Sequence, residues 1–412
     1  MEGDVEEISL STTTDKVTLE KNLEQEGRKI GHFMDRITEP LLRSRELKYR
    51  KTPTDNNSTS DDDMAEKLSD NNHPRSLSEE ELEVKGKWMK ELSQMVQKEW
   101  KNSTWWEKYG IDWSIIGLAM CSLPAGLLCL GSHSSILWVL GIIILGLANS
   151  VLTMKGSHMA SHRALCASPT LGRFWATFFM EVCSFLPVPV GDQGHVKLHH
   201  GHTNIIGLGD SSIWKAPRLS CGIYMFVAPL VLPILTIVVG LQSLKDLPYL
   251  QALQSLSCIS LGLFCHLQLF IQVSGLGIWS ALGCMFLSRT LLSIPFIHVN
   301  IFQHIGLPMF SSSQRPLRLQ LMTHCVLNLP RNFLLDWTFG HAIISCHIEH
   351  HLFPHLSDHM CLKVKPLVSK FVQSRNLPYQ EDTYVSRLQL FLTRYKEFMV
   401  LAPPITQLAE LR

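Results

Sequence analysis

Eight histidines stand in three tight clusters whose spacing suits metal binding. HMASH carries His158 and His162, HVKLHH carries His195, His199 and His200, and HIEHH carries His347, His350 and His351. On a helix, residues three or four apart share a face. The pairs His158/His162, His195/His199 and His347/His351 are therefore each expected to aim two rings at one point. His200 and His350 stand one step off those pairs, about 100° around a helix, where they would serve a neighbouring ion. Eight ligands exceed the three or four that one ion usually takes from a protein, so two ions sharing the set is the natural count. Imidazole suits zinc, copper, nickel and iron. An all-nitrogen set in an apolar helical body fits a redox iron pair better than structural zinc, and zinc hydrolysis would use fewer ligands and a positioned carboxylate base. His304, in NIFQH after an apolar run, is a candidate ninth ligand. Ring nitrogens that do not bind metal need acceptors, and Glu349, Asp192, Asn204 and Asp210 are the polar candidates nearby. His133, His266, His298, His324, His341, His355 and His359 read as structural.

These clusters have to be positioned by apolar elements. Spanning a bilayer takes roughly 20 mostly apolar residues. The runs 111–130 and 136–154 qualify and form a hairpin across GSHSS; 223–241 also qualifies, with Pro229 and Pro233 as kinks. Either 256–273 or 280–299, which carries Arg289 and Pro295, is expected to be the fourth span and the other peripheral. The run 174–190, broken by Glu181 and two prolines, is expected to lie along the membrane. Four spans put both termini and all three clusters on one side. That side holds Lys155, Arg163, Arg173, Lys197, Lys215 and Arg218, so the positive-inside rule makes it cytosolic. The expected fold is an all-α membrane protein with about four transmembrane helices and a cytosolic helical cap that carries the histidines.

The flanks differ in character. Residues 1–77 are polar and acidic, and TPTDNNSTSDDD cannot bury enough apolar surface to fold, so a disordered tail is expected. Ser78 and Glu81 form a capping box that opens an amphipathic segment over 78–104, carrying Val84, Trp88, Leu92, Met95 and Val96 at helical spacing. That helix either packs on the body of the protein or lies on the membrane surface. The body is expected over 105–400, with a short tail over 401–412. The 412 residues carry a net charge of +1, which excludes a nucleic-acid binder resting on a basic surface. The 11 cysteines include no CxxC pair, and several lie inside apolar runs as small hydrophobes, so neither a zinc ribbon nor a disulfide framework is indicated.

The order and spacing HxxxH (158–162), HxxxHH (195–200) and HxxHH (347–351), with HHGHTN at 199–204 and HIEHHLFP at 347–354, resemble the three histidine boxes of the membrane fatty acid desaturases. The resemblance covers about 105–400. It implies an oxygen-dependent oxidoreductase that introduces a double bond into a fatty acyl chain, with the eight box histidines as ligands of two iron ions. Asn300 and His304 have the N-x-x-x-H spacing of stearoyl-type desaturases, which implies His304 as a ninth ligand and Asn300 holding a metal-bound water. No catalytic side chain beyond the ligands is implied. Met159 stands where the first box often has an acidic residue, and His347 stands where front-end desaturases have glutamine. The HPGG haem motif of a fused cytochrome b5 domain is missing: His73-Pro74 is followed by Arg75-Ser76. A separate donor, cytochrome b5 with its reductase, is therefore implied, as is residence in the endoplasmic reticulum. A basic face among Lys197, Lys215, Arg218, Arg315, Arg318, Lys363 and Lys365 is expected to meet that acidic donor. Two other outcomes fit the same residues: a lipid hydroxylase on this scaffold, and a catalytically silent lipid-binding membrane protein.

Overall fold

The computed structural model describes residues 79–399 except 207, 209–215 and 217, with side chains from residue 86. The polar tail over 1–77, the capping serine at 78 with Glu81's side chain, Asp210, Lys215 and the tail over 401–412 lie outside what is described. The chain divides into two compact units, Met1–Trp88 and Met89–Arg412. Of the first, only the opening turns of a helix from Glu79 are described; the eight box histidines and His304 lie in the second.

Apart from isolated bridges between Ile205 and Phe310 and between Asn328 and Glu381, the described elements are helical. Helix α1 is Glu79–Asn102. From Met89 onward it packs on the enzyme body, with Leu92 and Val96 buried and Glu91 paired with Arg375 at 2.7 Å. Helix α2 (Ile111–Leu130) and helix α3 (Ser135–Ser150) form the expected hairpin. Glycines let the two backbones approach, as lipid-embedded helices require: Gly126 faces Leu145, and Gly141 faces the Gly126 carbonyl. α3 continues through a π-turn, Val151–Gly156, into α4 (Ser157–Ser161), which carries the first box.

Two short helices, α5 (Pro169–Ala176) and α6 (Val188–Gly191), each run into π-helix, Thr177–Cys183 and Asp192–His199. The two arms bend by 99°, at the prolines that the sequence places in 174–190. A π-turn, a 3₁₀ turn and α7 (Leu232–Ser243) make one apolar element over Ile223–Asp246. Helix α8 (Tyr249–Gln272) and the pair α9 (Ile278–Thr290) and α10 (Ser293–Phe302) follow.

Among the described residues, five helical elements are long and apolar enough to cross a membrane: Trp106–Leu130, Ser135–Ser161, Ile223–Asp246, Tyr249–Gln272 and Ile278–Phe302. The sequence expectation made the last two alternatives. Both have the length and composition, because α8 starts earlier than its apolar run and α9 and α10 continue each other past Arg289. The protein is thus a helical membrane protein. Its cap comprises α11 (Arg318–Cys325), α12 (Phe333–Thr338), α13 (His347–Leu352), α14 (Asp358–Ser374), α15 (Tyr384–Thr393) and α16 (Tyr395–Phe398).

Candidate metal centre

Nine histidines converge in two groups. His158, His162, His195, His200 and His350 form one; His199, His304, His347 and His351 form the other. Within each group one ring nitrogen per residue lies within 4.8 Å of all the others. Every box histidine is in a group, and His304 joins them. The Asn300 amide donates to the Phe296 carbonyl one turn back, at 2.7 Å.

The division differs from the expected pairing at one place. His195 and His199 point to different groups, and His195 shares its group with His200. The cause is the π-helix over Asp192–His199. There the His200 N–H bonds to the His195 carbonyl at 3.1 Å, five residues back, so positions five apart align instead of positions four apart. The third box is an α-helix, where His347 and His351 share a group as expected and His350 turns to the other. The first box also behaves as expected.

The rings are oriented mostly by backbone and hydroxyl groups. His347 Nδ1 lies 2.8 Å from the Ala342 carbonyl, His304 Nδ1 lies 3.1 Å from the Cys325 carbonyl, and His351 Nδ1 lies 3.2 Å from Thr203 Oγ1. These contacts direct the opposite nitrogens inward; His304 and His347 bring their Nε2 atoms to 2.9 Å. Burial holds His200, His347, His350 and His351 well below the ordinary imidazole range, and His304 at about 4. Neutral imidazole is the form that binds metal. The buried Nε2 atoms of His158, His162, His195 and His351 have no hydrogen-bond partner. Orphaned buried acceptors are costly, and a cation at each group is what would satisfy them. Neither group contains a cysteine or carboxylate.

The expected acidic acceptors play other roles. Glu349 faces away from the rings, where it accepts from Tyr379 Oη at 2.6 Å and Asn328 Nδ2 at 3.1 Å. Burial raises its carboxyl to about 7. Asn328 also accepts the Ile348 N–H at 2.9 Å, so this trio fixes the third-box helix from behind. Asn204 donates to the His304 and Pro308 carbonyls, and so holds the turn carrying His304. Asp192 makes no contact with a ring.

A buried ion cluster joins the first box to the third. Lys155, one turn before His158, lies 2.7 Å from Asp112 and 2.5 Å from Asp358. Asp358 also accepts the Ala342 N–H, and Asp112 accepts the His359 N–H, each at 3.1 Å. Lys155 was counted above among charges that set topology; its side chain is fully buried. Two charges inside apolar spans were the available signal, since ionisable groups there are expensive to keep. His298, expected to be structural, is so: it bridges Tyr384 Oη and the Met225 carbonyl. Beside the first box lies a cavity of about 200 Å³, touching Ser157, Met154, Ser184, Thr236 and Arg289.

A model of the fatty acid desaturase family matches residues 132–383, which contain all nine histidines. The chain belongs to that family, and is an oxidoreductase that introduces a double bond into a fatty acyl chain. It is 52% identical over 324 residues to human "Fatty acid desaturase 6", covering 78% of this chain and 91% of that protein. To the Mus musculus protein of the same name it is 53% identical over 321 residues, covering 78% and 94%. A Caenorhabditis elegans "Delta(5) fatty acid desaturase fat-4" is 31% identical over 114 residues, 27% of this chain and 25% of that protein.

Proposed function

We propose that the two histidine groups hold two iron ions, with His158, His162, His195, His200 and His350 around one and His199, His304, His347 and His351 around the other. The observation carrying this is the convergence of nine imidazoles into two nitrogen-only sets with buried, unpartnered ring nitrogens. Such sets suit several ions; membership of a redox family favours iron. Asn300 stands one turn before His304 and is a candidate to hold a bound water. When bound, the iron supplies the oxidising power that removes two hydrogens from the acyl chain, with dioxygen as oxidant.

The residues of this chain do the rest. The carbonyls of Cys325 and Ala342 and the hydroxyl of Thr203 fix ring orientation. The Lys155 cluster and the Glu349 trio fix the boxes relative to one another. The apolar cavity beside Ser157 takes part of an acyl chain and keeps water from it; at about 200 Å³ it is smaller than the roughly 300–1,000 Å³ of drug-sized pockets.

The balance needs an outside donor. Forming the double bond takes two hydrogens from the chain and reduces dioxygen to two waters, so two electrons and two protons must be added. We infer cytochrome b5 with its reductase as the source, in the endoplasmic reticulum. The docking face is narrower than the sequence suggested. Lys363 is paired with Glu99 and Glu107, Lys365 with Glu381, and Arg318 donates to the His351 carbonyl. Arg315 likewise donates to the Gly201 carbonyl, so the exposed Lys197 and Arg218 are the remaining described candidates.

Topology follows from convergence. His199 and His304 share one group, so an even number of crossings lies between them. Gly131 packs on the Ser274 carbonyl, at the turn between α8 and α9, and Ser255 near the start of α8 bonds Glu181 at 2.7 Å. We infer that α8 and α9–α10 make the crossing pair; Ile223–Asp246, counted as a span from the sequence, then does not cross. The histidines and both termini then face the cytosol, with four crossings.

Lipid profiling of cells with and without the chain tests the activity. The expected result is an acyl species two hydrogens lighter that vanishes with the chain and with His199→Ala. A product heavier by one oxygen would assign hydroxylation instead, and an unchanged profile would contradict both.

A further inference from the structure

The two arms of the bent element, Pro169–Cys183 and Val188–His199, meet at a tip that several neighbouring elements hold. Phe185, at this tip, has φ +64°, the left-handed region that non-glycine residues rarely adopt, and its side chain is fully buried. Such strain persists only where the surroundings over-determine it. The Phe185 carbonyl lies against Gly240 of α7 and the Val182 carbonyl against Gly262 of α8, each so close that an added Cβ would collide. Glu181 accepts the Val188 N–H at 3.0 Å and the hydroxyl of Ser255, on α8, at 2.7 Å.

A further grip comes from Arg289, at the end of α9. A guanidinium in a membrane span is costly to keep without a role, and no carboxylate pairs with this one among the described residues. Nη1 and Nη2 donate to the Cys183 carbonyl at 3.2 and 3.1 Å, and Nη1 also donates to Asn149 Oδ1, on α3, at 3.1 Å. The guanidinium lies over the Phe185 ring, 4.4 Å from its centroid. One planar side chain thus ties the tip to α3, in a way that a point-charge ammonium does not reproduce. Both tied elements lead to a box. α3 runs on through Val151–Gly156 into the first, and the tip runs on through α6 into the second. Between them, Ser184 Oγ of the tip lies 2.8 Å from Ser157 Oγ, next to His158. The first histidine group takes four of its five rings, His158, His162, His195 and His200, from these two boxes; the second takes only His199 from them.

We propose that Arg289 is a positioning residue for the first histidine group: by tying Asn149 to the Cys183–Phe185 tip, it sets the separation of the first and second boxes, and so the fit of one of the two metal ions. This rests on the reading of the groups as metal sites. Losing a residue that orients metal ligands typically costs about 10–100-fold in metal affinity. Here that loss falls on one ion, because the second group draws three of its four rings from elsewhere.

The test titrates ferrous iron alone, without oxygen, into full-length metal-free protein in lipid nanodiscs, and measures bound iron against free. Wild type should take up about two irons per chain. Arg289→Met, which supplies no donor, should weaken one ion at least about tenfold and leave the other within about twofold. Arg289→Lys should recover part of the loss. Paired variants tell which ion is affected. With His162→Ala, which already disables the first group, Arg289→Met should cost nothing further; with His347→Ala it should leave no tightly held iron. An arginine that serves stability alone would lower the melting temperature and weaken both ions alike, or neither. Either pattern overturns the proposal and leaves the two-ion reading intact; wild type that takes up fewer than two irons overturns that reading as well. If Arg289→Met does not fold, Asn149→Leu cuts the tie at its α3 end alone. It should show the same one-sided loss on a smaller scale, and an unchanged titration there overturns the proposal.

Discussion

Replacing Lys155 with methionine removes the cation from a site that holds two buried carboxylates. Asp112 and Asp358 both lie within 2.7 Å of the ammonium and both are buried. Breaking a buried ion pair by deleting one partner costs about 3–5 kcal/mol, because the charge left behind has neither water nor counter-ion. Here two charges are left, facing each other, so the upper end applies. That is roughly three to four orders of magnitude in the local equilibrium. The damage should reach the metal centre, since Lys155 precedes His158 by one turn and Asp358 holds the Ala342 N–H, whose own carbonyl orients His347. The assay is bound metal per chain together with thermal unfolding in detergent. Lys155→Met should lose both. The triple change Lys155→Met, Asp112→Asn, Asp358→Asn removes all charge but keeps acceptors for the Ala342 and His359 amides, and should recover most of the loss. A Lys155→Met protein with full metal content and unchanged melting would refute the reasoning. Failure of the triple change to recover anything would show that shape, not charge, was lost.

Other expectations are as direct. Gly340 has φ +99°, and an added Cβ would meet the Asp358 carboxylate; Gly340→Ala should cost at least about 1–3 kcal/mol and reduce bound metal, read by unfolding and elemental analysis. Asn328→Ala orphans the Ile348 N–H and strips Glu349 of a donor; with about 1–3 kcal/mol per buried orphan, melting should fall and the third box should loosen in hydrogen exchange. Charge reversal of Lys197 and Arg218 together should slow cytochrome b5-driven turnover and flatten its salt dependence, without changing bound metal. A glycosylation acceptor inserted at 131–135 should be modified in microsomes, whereas one near Ser168 should not; modification at Ser168 would reverse the topology.

What was legible in the sequence was whatever repeats at a regular period or clusters tightly. The apolar runs set the hairpin of α2 and α3, and the three boxes marked eight of the nine converging rings. His304 was legible from its spacing to Asn300. The sorting of rings was not, because it depends on the π-helix at Asp192–His199, and helical periodicity assumes α geometry. The supports were also hidden. Carbonyls of Cys325 and Ala342 carry no residue-type signal, and Asn328 with Tyr379 reaches Glu349 only through the folded cap. Asp112, Lys155 and Asp358 are separated by 43 and 203 residues, so only their burial joins them. Arg289 was visible in the sequence, but as an obstacle to a span.

The central claim is that nine imidazoles in two groups hold two irons, and elemental analysis of anaerobically purified, iron-reconstituted protein tests it most directly. Wild type should carry about two irons per chain. His350→Ala and His199→Ala, which each remove a ligand from a different group, should both bind fewer. A folded wild-type protein that retains one iron at saturation, or that binds zinc stoichiometrically and stays inactive when iron is supplied, would contradict the account.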